Sequence, residues 1–246
     1  MGFFAGHSPI HRLDPRVRLL AATALAIVIA LSTRFDVMGW ALVCAALCAA
    51  LARLDAYRLV LRILHLNGFM LFIWLVVPWS VPGETVRTAG GLALSEEGIR
   101  LALAITLKGN GIVLLFTALV ATIDPLRLPC ALKSLRIPDK LVHLFALTVR
   151  YTDLIHDEYI RLRLAMRTRA FQARFSAHTL RTFGYLTGLL MVRGMERAER
   201  VLAAMKCRGF DGRFHALDGY ALRGADVLFA AAALAHAGAW IWMEWR

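Results

Sequence analysis

The sequence predicts an all-α integral membrane protein with about five transmembrane helices and a cytoplasmic module of two to three amphipathic helices. Three observations carry this. Hydrophobic residues form 59% of the 246 and the mean hydropathy is positive, above the apolar share of an ordinary soluble domain. Several charge-poor runs approach the ~17–25 residues that cross a hydrocarbon core. Lys and Arg alternate in density between successive connections, the bias that orients a membrane chain. The net charge of +12 would suit a nucleic-acid binder, but this placement points to the bilayer instead, and no nucleic-acid partner is expected.

The first apolar run, Leu19 to Thr33, follows Arg12, Arg16 and Arg18. A second run, Val37 to Ala52, comes after only Arg34-Phe35-Asp36. The pair reads as a helical hairpin retained in the membrane rather than as a removed leader. Leu66 to Pro82 is a third span, Leu101 to Ile123 a fourth with Lys108 inside it, and Val227 to Met243 a fifth. The last ends among Trp240, Trp242 and Trp245, residues that favour the membrane–water boundary. Of the 29 Lys and Arg, 24 fall on the side of the N-terminus, four on the other side, and Lys108 lies within span four. The expected topology has the N-terminus cytoplasmic. It divides the chain into a membrane domain 1–123, a cytoplasmic helix module 124–223 and a final span 224–246.

Within the module, Ile137 to Ala170 shows helical periodicity, with Leu141, Phe145, Thr148, Ile155, Tyr159, Leu162 and Met166 along one side. A second amphipathic helix runs from about Ala177 to Lys206, with Leu180, Phe183, Leu190, Ala198, Val201 and Met205 apolar and Glu196–Arg200 as an i,i+4 pair. A short helical piece around Leu126 to Leu135 precedes them.

One eleven-residue stretch occurs twice in this module. Ala165 to Phe175 reads AMRTRAFQARF and Ala204 to Phe214 reads AMKCRGFDGRF. The shared pattern is Ala-Met-basic-x-Arg-small-Phe-x-small-Arg-Phe. Each copy sets an arginine, Arg169 or Arg208, at the last turn of a long helix, where the dipole favours a cation. The small residue after it, Ala170 or Gly209, lets the backbone turn away, and Phe171 or Phe210 anchors the turn. The product is a helix tip carrying a planar cation suited to forked pairing with carboxylates or carbonyls. Attraction to anionic lipid is the plainer account of one basic helix end. It is a charge effect, however, and does not demand the same Met, small residue and Phe twice.

These residues resemble the twin Ala-Arg-Gly signatures of the T components of energy-coupling factor (ECF) transporters, most closely the CbiQ type of cobalt and nickel transporters. The stretch ERAERVLAAMKCRGFDG, Glu196 to Gly212, resembles the second signature, and HSPIHRLDPRVRLL, His7 to Leu20, resembles the family's N-terminus. The resemblance covers nearly the whole chain. It implies a non-enzymatic scaffold of the bacterial cytoplasmic (inner) membrane, in an uptake system linked to cobalamin biosynthesis. Its two coupling helices would cross as an X and dock into a pair of ATPase subunits (CbiO type). They would pass ATP-driven movement to a substrate-capture membrane subunit (CbiM type), with a small accessory subunit (CbiN type) beside it. The carried-over docking set is Met166, Thr168, Arg169, Ala170 and Phe171, then Met205, Cys207, Arg208, Gly209 and Phe210. Thr168, Ala170 and Cys207 depart from the signature while both arginines remain, so the first copy is the looser one. No cofactor is expected on this chain. ATP and Mg belong to the ATPase, and Co2+ or Ni2+ is the cargo.

Other residues are weighed the same way. Lys108, near Asn110, either snorkels outward or meets the capture subunit. Gly109 and Gly111 beside it permit close helix approach. His7 and His11 are separated by Ser8-Pro9, which argues against a regular helix presenting both to a metal. Cys44 and Cys48 read as small apolar residues. Asp153, His156, Asp157 and Glu158 read as a solvated or partner-facing patch rather than a reaction centre. The chain holds no P-loop pattern. The competing functions are a T component for a vitamin, a stand-alone secondary transporter or channel, which needs a polar intramembrane path, and a membrane-bound enzyme.

Overall fold

The computed structural model describes residues 9–82, 85–89, 92–212 and 223–245. His7, Arg213, Phe214 and Arg246 lie outside them. The chain divides into two compact units, 1–124 with 220–246, and 125–219.

The first unit begins with a 3-10 turn, Pro9–Arg12, and the helix α1, Pro15–Leu31. Asp14 starts α1 by accepting from the Arg16 amide at 2.9 Å, with Pro15 in the first turn, where a missing N–H costs nothing. Ser32 to Arg34 then lead into α2, Phe35–Leu51. The helix α3, Ala56–Ser80, starts ten residues before the apolar run that signals it, capped by Asp55. The helix α4, Glu96–Leu119, starts at the Ser95 hydroxyl, which accepts from Gly98. Between α3 and α4 lies an antiparallel hairpin, β1 Thr85–Ala89 and β2 Leu92–Ser95, the one departure from an all-α architecture among the described residues. Its strand signal is limited to β1, which carries Thr85, Val86 and Thr88, while β2 reads Leu-Ala-Leu-Ser, so the longer apolar runs around the hairpin overshadow it.

The second unit holds α5, Leu128–Ser134, α6, Asp139–Thr168, and α7, Ala177–Cys207. The helix α8, Gly224–Trp245, returns to the first unit.

Helices α3, α4 and α8 are long and apolar enough to cross a membrane. The helices α1 and α2 have 17 residues each. At ~1.5 Å per residue they fall a few ångströms short of a ~30 Å hydrocarbon core.

The interior of the first unit is rich in small residues. Ala41, Ala45 and Ala49 recur every fourth position of α2 and are nearly inaccessible, together with Ala22, Leu25, Leu115 and Ala118. Many large side chains face out, among them Trp40, Leu47, Phe69, Phe72 and Leu75, while Ile29, Met38, Leu119 and Trp240 fill the interior beside the alanines. Lipid tails are as apolar as leucine, so helices in a bilayer gain by close backbone approach rather than by hiding large side chains. Cys44 and Cys48 pack against this core as small apolar residues. At Gly98 the backbone of α3 comes close, since a Cβ would stand 2.7 Å from the Pro78 Cα.

Helix ends in this unit are closed by charged side chains of other segments. Arg18 is 2% exposed, and its Nε donates to the Leu119 carbonyl at 3.0 Å while a second nitrogen donates to the Thr122 hydroxyl. The first turn of α1 thereby covers the carbonyl end of α4. Asp226, also buried, accepts from the Asp14 and Arg223 amides at 2.8 Å each. At the opposite ends of α1 and α8, Glu244 accepts from Thr33 and Arg34 donates to the Met243 carbonyl. With both pairs of ends tied, α1 and α8 run parallel.

Replacing Arg18 by Met leaves the Leu119 carbonyl and the Thr122 hydroxyl without their donor. We expect a loss of about 2–3 kcal/mol, seen as a lowered thermal midpoint of the detergent-solubilised chain, with Arg18→Lys recovering part of it.

Candidate functional site

The two copies of the repeated stretch form the same local structure. In α6 the last helical residue is Thr168, and Arg169 is the cap. Ala170 follows with φ of 55°. The Phe171 amide donates to the Met166 carbonyl at 3.1 Å and the Ala170 amide to the Arg167 carbonyl at 3.0 Å. In α7 the last helical residue is Cys207, Arg208 is the cap, and Gly209 has φ of 79°. The Phe210 amide donates to the Met205 carbonyl at 3.1 Å and the Gly209 amide to the Lys206 carbonyl at 3.0 Å. This is the Schellman motif, a six-to-one and a five-to-two bond closed around a left-handed residue.

The repeat therefore has a physical meaning, position by position. Met166 and Met205 supply the carbonyl of the longer bond and sit where the motif places a hydrophobic partner for the residue after the turn. Phe171 and Phe210 are those residues, and all four side chains are half-buried. The small residue stands at the left-handed position, which glycine adopts freely and alanine at a cost of ~1–2 kcal/mol. The arginines fall one residue beyond the last helical turn rather than inside it, and both are exposed. Among the described residues no carboxylate is paired with either guanidinium.

The copies differ in detail. The Thr168 hydroxyl donates to the Ala165 carbonyl at 2.9 Å, a bond that Cys207 does not repeat. The looseness of the first copy thus lies at the Ala170 position, while the hydrogen-bond pattern is shared. Phe175, four residues past Ala170's neighbour Phe171, is fully exposed. It stands in the repeat, but nothing in the spacing alone distinguishes it from a buried anchor.

The long helices carry these tips at opposite ends of their pair. The end of α6 adjoins the start of α7, where the Phe171 ring lies 6.2 Å from Phe183, edge-on at 83°. The end of α7 meets the start of α6, where Phe210 stacks on His143 at 5.2 Å and 24°. Between them Glu158 of α6 is paired with Arg193 of α7. Glu158 thus leaves the acidic patch to join the two helices, while Asp153, His156 and Asp157 stay on the surface. The face of α6 turned to α7 is His143, Leu147, Tyr151 and Ile155, lining an apolar groove of about 420 Å³ with Val201, Met205 and other α7 residues. The expected stripe through Leu141, Phe145 and Thr148 is instead exposed. Apolar residues surround this part of α6, so periodicity alone admits two faces. The expected Glu196–Arg200 pair forms at 4.0 Å.

In the first unit, Lys108 and Asn110 have partners within the chain. The Lys108 ammonium donates to the Ala30 carbonyl at 2.9 Å, closing the last turn of α1. Asn110 exchanges amide hydrogen bonds with Asn67 of α3, the shorter at 3.0 Å. Arg18, which the sequence marks only as a topological charge, proves to be the buried tie between α1 and α4. A positive charge directly before an apolar run, inside the first turn of α1, was the available signal.

The caps predict a measurable asymmetry. Ala170→Gly relieves the left-handed strain and raises hydrogen-exchange protection of the Phe171 amide roughly fivefold, equivalent to about 1 kcal/mol. Gly209→Ala lowers protection of the Phe210 amide by a similar factor.

Comparison with known proteins agrees with this architecture. Residues 6–216 match the CbiQ family, described as cobalt transport protein. The chain is 24% identical over 216 residues to the energy-coupling factor transporter transmembrane protein EcfT of Staphylococcus aureus, covering 83% of this chain and 81% of that one. It is 26% identical over 215 residues to the EcfT protein of Heliobacterium modesticaldum, covering 83% and 81%. It is 27% identical over 221 residues to that of Limosilactobacillus fermentum, covering 83% and 80%. The match runs from α1 through both capped tips and ends before α8, and the chain belongs to the CbiQ family.

Proposed function

We propose that the chain is the transmembrane scaffold and coupling subunit of an ATP-driven uptake transporter. Arg169 and Arg208 dock into a pair of ATPase subunits of CbiO type, which hold ATP and Mg and carry out hydrolysis. The chain passes their movement to a substrate-capture membrane subunit of CbiM type, with a CbiN-type subunit as accessory. The membrane is the bacterial cytoplasmic one, and the N-terminus, α5, α6 and α7 face the cytoplasm, in keeping with the excess of Lys and Arg on that side.

The supporting observation is the double occurrence of one cap geometry that ends each time in an exposed arginine. Backbone bonds satisfy the helix end, so the guanidinium is left for another molecule. Two equivalent sites on one chain suit a paired partner. Exposed Phe175 and Arg174 beside Arg169, and exposed Tyr185, Met191 and Met195 along α7, add the aromatic and apolar surface that a protein partner covers. The family description names cobalt. Cobalt is therefore the cargo proposed here, ahead of nickel or a vitamin. Lys108 and Asn110 are committed within the chain, so the capture subunit meets the α4 surface they position rather than their charged or amide groups.

Charge reversal tests the docking. Arg169→Glu or Arg208→Glu alone is expected to weaken capture of the ATPase at least about 30-fold, the scale of a broken buried charge pair. The double reversal should abolish co-purification while membrane insertion stays intact. Undiminished capture by an inserted double variant overturns the proposal.

A further inference from the structure

We infer that each arginine tip is positioned by the opening turns of the other long helix, with Phe171 and Phe210 as the positioning residues. The inference rests on the docking function proposed for Arg169 and Arg208.

The geometry of both ends supports it. Phe210 leaves the α7 axis through Gly209 and stacks on His143, in the second turn of α6. Phe171 leaves the α6 axis through Ala170 and meets His178 and Phe183, in the first two turns of α7, with both ring centroids 6.2 Å away. In each copy the six-to-one bond from the Phe amide to the Met carbonyl closes the turn that carries the arginine. Arginine, left-handed residue and phenylalanine are consecutive, so they move as one piece. The cap satisfies the backbone but does not stop the terminal turn from fraying, since helix ends are the least stable part of a helix. The aromatic contact with a second helix supplies that restraint.

The two contacts lie at opposite ends of the helix pair, separated by roughly 45 Å at ~1.5 Å per residue. One end holds the Arg169 tip and the start of α7, and the other holds the Arg208 tip and the start of α6. A shift of α6 therefore carries Arg169 directly and Arg208 through His143. A shift of α7 does the reverse. Glu158 and Arg193 pair the helices between these ends. The arrangement makes the two docking sites mechanically dependent without any contact between the arginines.

The test is a set of double-mutant cycles in the full complex, reading the affinity of the membrane chain for its ATPase. His143→Leu is expected to weaken binding roughly two- to tenfold, the scale of one aromatic pair. That loss should vanish in an Arg208→Ala background and persist in full over Arg169→Ala. Phe183→Leu should show the opposite pattern, lost over Arg169→Ala and retained over Arg208→Ala. His143→Phe, which keeps a stacked ring, should restore binding. Phe210→Leu probes the same contact from the other side and serves where His143→Leu does not accumulate. Losses that fall equally on both arginine backgrounds indicate general destabilisation and overturn the inference. Dependence on the arginines with none on His143, Phe210 or Phe183 overturns the brace alone. Insensitivity to the arginines themselves overturns the docking function and the brace with it.

Discussion

Every helix ends with carbonyls that have no partner inside the helix, and a hydrocarbon surrounding offers no water to satisfy them. The chain meets this constraint in two ways. In the first unit, neighbouring segments send cations: Arg18 to the end of α4, Lys108 to the end of α1, and Arg34 to the end of α8. Carboxylates do the converse, with Asp226 on the Asp14 and Arg223 amides and Glu244 on the Thr33 amide. These bonds set which helices are neighbours and which way they run.

In the second unit the backbone closes its own ends. The helices α6 and α7 finish in Schellman turns, so their basic residues are not spent on capping. The same residue type therefore has opposite roles. Arg18 is buried and engaged, while Arg169 and Arg208 are exposed and unpaired with any described carboxylate. Arginine's fixed fork of donors suits either use. The position of the small residue decides which one applies. Where Ala170 or Gly209 takes the left-handed conformation, the turn closes without the side chain and the guanidinium stays available.

The packing of the two units follows the same division. Close alanine contacts and polar ties hold the first unit, with many large apolar residues facing outward for lipid. In the second, the helices are joined by the Glu158–Arg193 pair and the ring contacts at their ends, with an apolar groove left between them. A pair of helices joined at a few points can change its crossing more easily than one packed along its length.

Much of this was legible in the residues. Charge-poor runs and the uneven placement of Lys and Arg reveal a membrane chain, because lipid imposes its constraint on every residue of a span. The boundaries of α6 and α7 and both arginine tips follow from periodicity and from the repeated stretch, because a helix end and its cap are local in sequence. Long-range contacts were not legible. The tie between Arg18 and Leu119 joins residues 101 positions apart. The stack of Phe210 on His143, the reciprocal amide pair of Asn67 and Asn110, and the face of α6 that turns to α7 likewise depend on which surfaces meet. Periodicity specifies that a helix has a face, and where several faces are apolar, packing against a particular neighbour selects one of them.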